Sequence, residues 1–499
     1  MVFEILHRDG LGRIGRLKTA HGSVTTPTLM PVINPVDIFI SPAEMRKEFG
    51  AELMMTNAYL IFKHFGEEGA RRGVHEILGY NGPIMTDSGG YQILRYGEVE
   101  IAPEEIVRYQ EAIGSDIATI LDVPTGINAT RERAEETVEI TLKRARESLK
   151  LRSKEETLWC GPIQGGLFSD LVERSAKEMG SMDFHVYAIG SPVELMEEYR
   201  YRELVKLVMA AKKNLPPHRP VHLFGAGHPM MFSLAVLMGC DLFDSAAYAL
   251  YAKTGRYMTA RGTLKLEELK FFPCECPVCT STEPSEVMKM EKDERLRFLA
   301  KHNLHVSFGE MRRIRQAIVD GKLWEHTQQM AMSHPRLLDG FRELLNHSGF
   351  IEKFNPVTKP SAFFYLGKES ERRPEVLRHR KKMEEYSPPY LQKLLIVAGK
   401  MPSNVPGDVH VIKFIPPFGV VPEELDEIYP LWQNEVPRDL RQEELAGSLG
   451  SLEDYLRIHG QKYSEVILYV DERWEEAVKS ACGAVREKLR IYSPETGLL

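Results

Sequence analysis

A chain of 499 residues with 43% hydrophobic and 27% charged residues has the balance of a globular protein with more than one core, which excludes a disordered or fibrous chain. A net charge of −7 excludes a uniformly basic, nucleic-acid-coating surface, so any RNA contact must rest on local patches. No apolar stretch approaches the length of a membrane span and no secretory leader is evident in MVFEILHRDG, so a cytoplasmic protein without a membrane partner is expected.

Along the first half, a short apolar run, a polar or glycine-rich turn and an amphipathic helical stretch succeed one another, the pattern of parallel βα units. Strands are predicted, in order, at TLMPVIN, ELMMTN, PIMTD, IATILD, LWCGPIQ, VYAIG, VHLFG and CDLFD. Helices are predicted between them, among others at PEEIVRYQEAIG, TRERAEETVEITLKRARESLK, FSDLVERSAKEMG and HPMMFSLAVLMG, where apolar residues recur at three- and four-residue spacing. Eight such units over about 250 residues predict an α/β fold, a closed (β/α)8 TIM barrel. The ends of these strands carry Asn57, Asp87, Asp122, Gln164, Gly190, Gly225 and Asp244. Each alone has an ordinary explanation as a helix cap or turn glycine; seven at one end of one barrel predict a site.

Beyond the barrel strands, FFPCECPVCT places Cys274, Cys276 and Cys279 as C-x-C-x2-C, and KHNLH follows with His302 and His305. Three thiolates and one imidazole close a tetrahedral zinc site with no position open to water, so one structural Zn2+ per chain is expected. Spacing does not decide between the two histidines. The other cysteines, Cys160, Cys240 and Cys482, are scattered, unlike a disulfide framework. The expected organisation is a catalytic barrel over 1–345 with an inserted zinc-binding subdomain at about 270–345. An α+β middle domain over 346–430 and a small α+β C-terminal domain over 431–499 follow, rich in proline breaks such as YSPPYLQKLLIVAG. The run Arg372, Arg373, Arg378, Arg380, Lys381 and Lys382 is either a solvated helix face or a local RNA patch.

Two carboxylates on barrel strands, Asp87 in MTDSGGYQ and Asp244 in DLFDSAAY, are the equipment for breaking a glycosidic bond: one attacks the anomeric carbon and the other handles protons. Asp122 and Gln164 offer acceptors and donors suited to a purine-like edge, and Tyr91 offers a stacking face. The pieces TDSGGYQ, IQGGLF and LFGAGHP lack the spacing of a Walker loop or dinucleotide fingerprint, so their glycines are expected to let a flat ligand approach the backbone.

Taken together, MTDSGGYQ, ILDVP, PIQGG, YAIGS, HLFGAGHP, CDLFDSA and the cysteine cluster resemble the tRNA-guanine transglycosylases, specifically their archaeal branch. The resemblance implies exchange of the position-15 guanine of the tRNA D-arm for 7-cyano-7-deazaguanine, the archaeosine precursor. It implies Asp244 as the nucleophile at ribose C1′ and Asp87 as general acid and base. Asp122, Gln164 and the backbone at Gly190 would read the base edge, Tyr91 and Phe224 would stack on it, and the target nucleotide would leave its stack to reach them. The same resemblance selects His302 as the fourth zinc ligand and implies a homodimer. Many archaeal relatives carry a C-terminal PUA domain, which is not evident before IYSPETGLL, so either the catalytic and middle domains bind tRNA adequately or a separate PUA-domain protein assists. The rival readings are the paralogous archaeosine synthase, disfavoured by the intact TDSGG and cysteine cluster, and a catalytically silent tRNA-binding subunit, disfavoured by both aspartates. A retaining glycosidase would call for tryptophans beside the strand ends, and none of the four tryptophans lies there.

Overall fold

Short strands rich in Met, Ile, Leu and Val, buried along nearly their whole length, build the centre of the first unit. In a computed structural model, which describes residues 2–90, 101–471 and 474–493, the chain divides into two compact units, Met1–Leu344 and Leu345–Leu499.

In the first unit, all eight predicted barrel strands form. They are β4 (Thr28–Pro31), β5 (Met54–Asn57), β6 (Ile84–Asp87), β7 (Ile117–Thr119), β8 (Leu158–Ile163), β9 (Val186–Ile189), β10 (Val221–Leu223) and β11 (Leu242–Ser245). They pair in the order β4-β11-β10-β9-β8-β7-β6-β5, every pair parallel. A parallel bridge from Val32 to Met55 joins the two ends, so the sheet curls into a barrel. Strands such as LWCGPI are buried at every residue because one face meets the barrel interior and the other the surrounding helices. The helix predicted from TRERAEE spans Arg131–Leu151 and begins where Thr130 accepts a hydrogen bond from Arg133 N, a side-chain N-cap.

Three strands outside the predicted set precede the barrel: β1 (Phe3–Asp9), β2 (Gly12–Thr19) and β3 (Gly22–Thr26), an antiparallel sheet. Phe3, Leu17 and Val24 from this sheet share one buried cluster with Met55, Met85, Ile117, Leu158, Val186 and Leu242, so it covers the end of the barrel where the strands begin. Two buried aspartates fasten that end. Asp241 takes both arms of Arg13, at 2.8 and 2.9 Å, and the N–H of Val221 at 2.8 Å. Asp116 accepts from His21 N and Ile84 N at 2.9 Å and faces His21 Nδ1 and His75 Nε2 at 3.1 Å. Burial of such a charge is tolerated only because every lone pair has a donor.

The second unit is built on one five-stranded sheet, in the order Gly419–Pro422, Val409–Ile415, Lys393–Ala398, Glu465–Val470, Leu489–Tyr492. Its first pair is antiparallel and the others are parallel. Both this sheet and a two-stranded parallel pair, Phe363–Phe364 with Asn434–Glu435, take strands from both sides of the border expected near residue 430. Leu394, Ile396, Val466 and Leu468 from the larger sheet pack with Leu445, Leu452 and Leu456 of the helix Gln442–His459, and this shared core is what a reading of short segments one by one does not reveal.

The basic run also resolves differently from either expectation. Arg373 is 1% exposed and pairs with Glu375, which Lys359 also contacts at 2.5 Å. Arg378 donates to Glu352 at 2.6 Å and Arg380 to Pro417 O at 2.7 Å. Half of the run thus holds the second unit together, leaving Arg372, Lys381 and Lys382 for its surface. Among the described residues no helix is long and apolar enough to cross a membrane.

Candidate active site and metal centre

The C-terminal strand ends, opposite the three-stranded sheet, collect the predicted site residues, as barrel geometry requires. Asn57 closes β5 and does two jobs: Oδ1 accepts from Leu60 N, capping the helix Ala58–Leu78, while Nδ2 donates to Asp87 Oδ2 at 2.9 Å. Asn57 thus caps a helix and also holds a neighbouring carboxylate. Asp87 closes β6 and is held further by the backbone N–H groups of Ser88 and Gly89. Burial, and then the neighbouring carboxylates Asp122 and Asp244, push its carboxyl up to about 7, which places its titration near neutrality.

Past the end of β7, Asp122 Oδ2 accepts from Gln164 Nε2 at 2.6 Å. Burial drives its carboxyl up to about 6 against the lowering effect of that bond. Gln164 Oε1 in turn accepts from Thr125 N at 2.9 Å and from Ser191 Oγ at 3.1 Å. Two donors on one side and a carboxylate on the other fix the amide's orientation and leave one N–H of Gln164 for a ligand.

Two glycines answer to these side chains. A Cβ on Gly90 would lie 2.2 Å from Asp122 Oδ1, and one on Gly190 would lie 2.2 Å from Gln164 Nε2. The expected close approach is therefore first an approach by the protein's own polar groups. Gly190 N–H already donates to Ile163 O at 2.9 Å, so of its backbone only the carbonyl remains for a base. Ser191, which follows it, has φ 59°, a left-handed conformation that non-glycine residues rarely adopt and that clusters at functional sites.

On β11, Asp244 is 8% exposed. Its Oδ1 accepts from His222 Nε2 and from Gly225 N, both at 2.8 Å. Phe224, half-buried beside this pair, meets the His222 ring edge-on at 4.6 Å and so stands at the rim of the pocket with Gly225. Tyr91 lies outside the described residues. Asp87, Asp122, Gln164, Gly190, Phe224 and Asp244 all stand at this one end of the barrel. His222 and Ser191 were missed by the sequence reading. A histidine on the apolar strand VHL gives no sign of function, and nothing in YAIGS marks the serine's backbone.

The cysteine cluster follows the barrel. Cys274, Cys276, Cys279 and His302 bring their ligand atoms within 4.8 Å of one another, the spacing a single tetrahedral ion needs. His302, fully buried on the helix Lys292–Val319, turns Nδ1 toward Cys279 Sγ at 3.2 Å and Cys276 Sγ at 3.5 Å. Its Nε2 donates to Met258 O at 2.7 Å, which leaves Nδ1 as the bare, ligating nitrogen. The Tyr257 ring lies 3.5 Å from the His302 ring, nearly parallel. His305 packs against Phe49 and Glu48 instead. The donor set therefore fits a metal ion held by three sulfurs and one nitrogen. His21, His75 and Asp116 also cluster, but that carboxylate already holds two backbone N–H groups, and the two imidazoles serve as its remaining donors.

A model of the queuine tRNA-ribosyltransferase family matches residues 9–336. The tRNA-guanine(15) transglycosylase of Methanocaldococcus jannaschii is 48% identical over 452 residues, covering 88% of this chain and 69% of its own length. That of Methanosarcina mazei is 47% identical over 452 residues, covering 90% of each chain, and that of Methanosarcina barkeri is 48% identical over 440 residues, covering 88% of each.

Proposed function

The chain belongs to the queuine tRNA-ribosyltransferase family, the tRNA-guanine transglycosylases, and on that premise we propose that it exchanges guanine-15 of tRNA for 7-cyano-7-deazaguanine through a covalent aspartyl-ribose intermediate. The observation that carries this reading is the state of the two carboxylates. Among the described residues Asp244 is tied through Oδ1 alone, with no Lys or Arg paired to it, while burial, and then the neighbouring carboxylates, push the Asp87 carboxyl up to about 7.

In the first displacement, Asp244 Oδ2 bonds to ribose C1′ as the bond from C1′ to the guanine nitrogen breaks, and protonated Asp87 gives its proton to the departing base. In the second, Asp87 takes the proton of the incoming deazaguanine, whose nitrogen bonds to C1′ as the C1′–Oδ2 bond breaks. Two inversions give net retention, and the RNA stays attached throughout. Asp122 and the free N–H of Gln164 address the base edge together with the Gly190 carbonyl, and Phe224 and Tyr91 stack on the base. Negative charge from Asp244 and Asp122, and from Asp87 as its proton leaves, favours the oxocarbenium-like transition state, whose positive charge develops at C1′.

Cys274, Cys276, Cys279 and His302 hold zinc in this reading, and with all four positions filled the ion supplies structure rather than chemistry. Residues 1–345 carry the exchange, the enzyme works as a homodimer, and the cytoplasm is where it meets tRNA. The test is incorporation of radiolabelled guanine into unmodified tRNA, with 7-cyano-7-deazaguanine as competitor. Wild type incorporates label, the nitrile suppresses it, and Asp244→Ala lowers it by at least about 10³-fold, as loss of a nucleophile does. A folded, metal-loaded wild type without incorporation, or an Asp244→Ala enzyme near wild type, removes the assignment.

A further inference from the structure

On the reading that Asp244 is the nucleophile, we infer that His222 is a positioning residue for the exchange, one that ties Asp244 Oδ1 so that Oδ2 alone faces ribose C1′. The His222 ring is fully buried on β10, and its Nε2 lies 2.8 Å from Asp244 Oδ1. The Gly225 N–H reaches the same oxygen at 2.8 Å. Among the described residues, two donors on one oxygen and none on the other make the carboxylate's atoms unequal. Oδ1 is anchored from a barrel strand and from the turn that follows it, and Oδ2 is left with a free lone pair.

The other ring nitrogen settles how His222 does this. Nδ1 is buried with no hydrogen-bond partner among the described residues. A second N–H there would be a buried donor with nothing to receive it, which costs more than a bare acceptor nitrogen in the same place. The ring therefore donates from Nε2 and keeps Nδ1 bare. The bond also survives the chemistry. Once Oδ2 has joined C1′, Oδ1 is the carbonyl oxygen of the ester, still facing the same two donors. When the second displacement returns the electron pair to the carboxylate, the donors that receive its charge are already in place, so no reorganisation is needed in either step. Phe224, edge-on to the ring at 4.6 Å, limits its rotation.

His222→Leu removes the donor, and His222→Gln keeps an N–H at a similar reach. In the guanine-exchange assay we expect kcat of His222→Leu to fall on the order of 100-fold, the effect of losing one preorganised donor. KM for guanine and tRNA should stay within about twofold, since the lost bond touches neither substrate. His222→Gln should recover at least about tenfold of that loss, as a restored donor would. Independently of any variant's folding, 15N-histidine spectra of the wild-type protein, with the His222 signals assigned by their absence in His222→Gln, should show Nε2 protonated and Nδ1 bare. A His222→Leu enzyme with wild-type kcat overturns the inference, as does a His222→Gln enzyme as slow as His222→Leu with its metal content and unfolding transition intact. A protonated Nδ1 in the wild type does so as well. A wild type that exchanges no guanine would instead fail the underlying reading.

Discussion

Replacing Asp87 by Asn should make the protein more stable while it destroys exchange, and the gain should depend on pH. Folding raises the Asp87 carboxyl from its ordinary 3.8 to about 7. In that window the unfolded chain has released a proton that the folded protein retains. Wild-type stability is therefore greatest below 3.8 and falls as the pH rises through 7. At 1.36 kcal/mol for each tenfold change in proton concentration, the term reaches about 2 kcal/mol at pH 5.5 and about 4 kcal/mol at pH 8. Asp87→Asn carries no such term. It weakens the hydrogen bonds from Asn57, Ser88 and Gly89, a constant loss of about 1–2 kcal/mol that does not vary with pH. The measurable quantity is thus the slope. Urea unfolding followed through Trp159 and Trp324, both buried in the first unit, should show the advantage of Asp87→Asn growing by about 2 kcal/mol between pH 5.5 and pH 8. An advantage that is constant or shrinks over that range refutes the claim that burial and like charge hold this carboxyl protonated.

Cys276→Ser should abolish binding of the one metal ion per chain and open the segment around residues 270–290 to protease, with elemental analysis and limited digestion as the measurements; structural zinc sites in small domains contribute about 10–16 kcal/mol of binding energy. Gly190→Ala should raise KM for the free base by more than about tenfold and also lower stability, because the new methyl, 2.2 Å from Gln164 Nε2 and 2.7 Å from Ile163 O, displaces the amide from Asp122 and presses on the backbone of β8. A Gly190→Ala enzyme with an unchanged KM for guanine would mean that Gln164 does not contact the base.

The barrel was legible because its evidence repeats. Eight apolar runs, seven of them followed by a chemically useful residue, gave every barrel strand and the end at which the candidate residues gather. The sheet over the opposite end was not read, although Leu17 and Val24 alternate with exposed residues as a half-buried strand's do, because its 24 or so residues precede the repeating pattern and offer no chemistry. The second unit misled for the reverse reason. Its proline-rich segments look like borders, whereas strands from before and after residue 430 lie side by side in one sheet. Within the site, residue type identified the carboxylates and the amide, but not their mutual arrangement. That Gln164 is clamped by Thr125, Ser191 and Asp122 depends on three loops meeting, and His222 in VHL reads as one more core position until the neighbouring strand brings Asp244 beside it.

Asp241 and Asp244 stand three residues apart, one just before β11 and one within it, and the contrast between them separates structure from chemistry better than residue type does. Asp241 is held by a bidentate Arg13 and the Val221 N–H. Asp116, just before β7, is held by two backbone N–H groups and two histidines. At the other end of the barrel, Asp87, Asp122 and Asp244 share a pocket in which no salt bridge to Lys or Arg is formed among the described residues. Their donors are amides, one imidazole and backbone N–H groups, which orient a carboxylate without neutralising it. Arg144 reaches only the carbonyl oxygens of Leu121 and Asp122, at 3.3 and 3.4 Å, and its charge lowers the Asp122 carboxyl. Burial nevertheless pushes Asp87 up to about 7 and Asp122 up to about 6, and the like charge of Asp122 and Asp244 adds to the rise at Asp87. On the proposed exchange, positive charge developing at C1′ would favour the ionised form of each, so the cost of gathering these carboxylates and the preference for the transition state have one electrostatic origin.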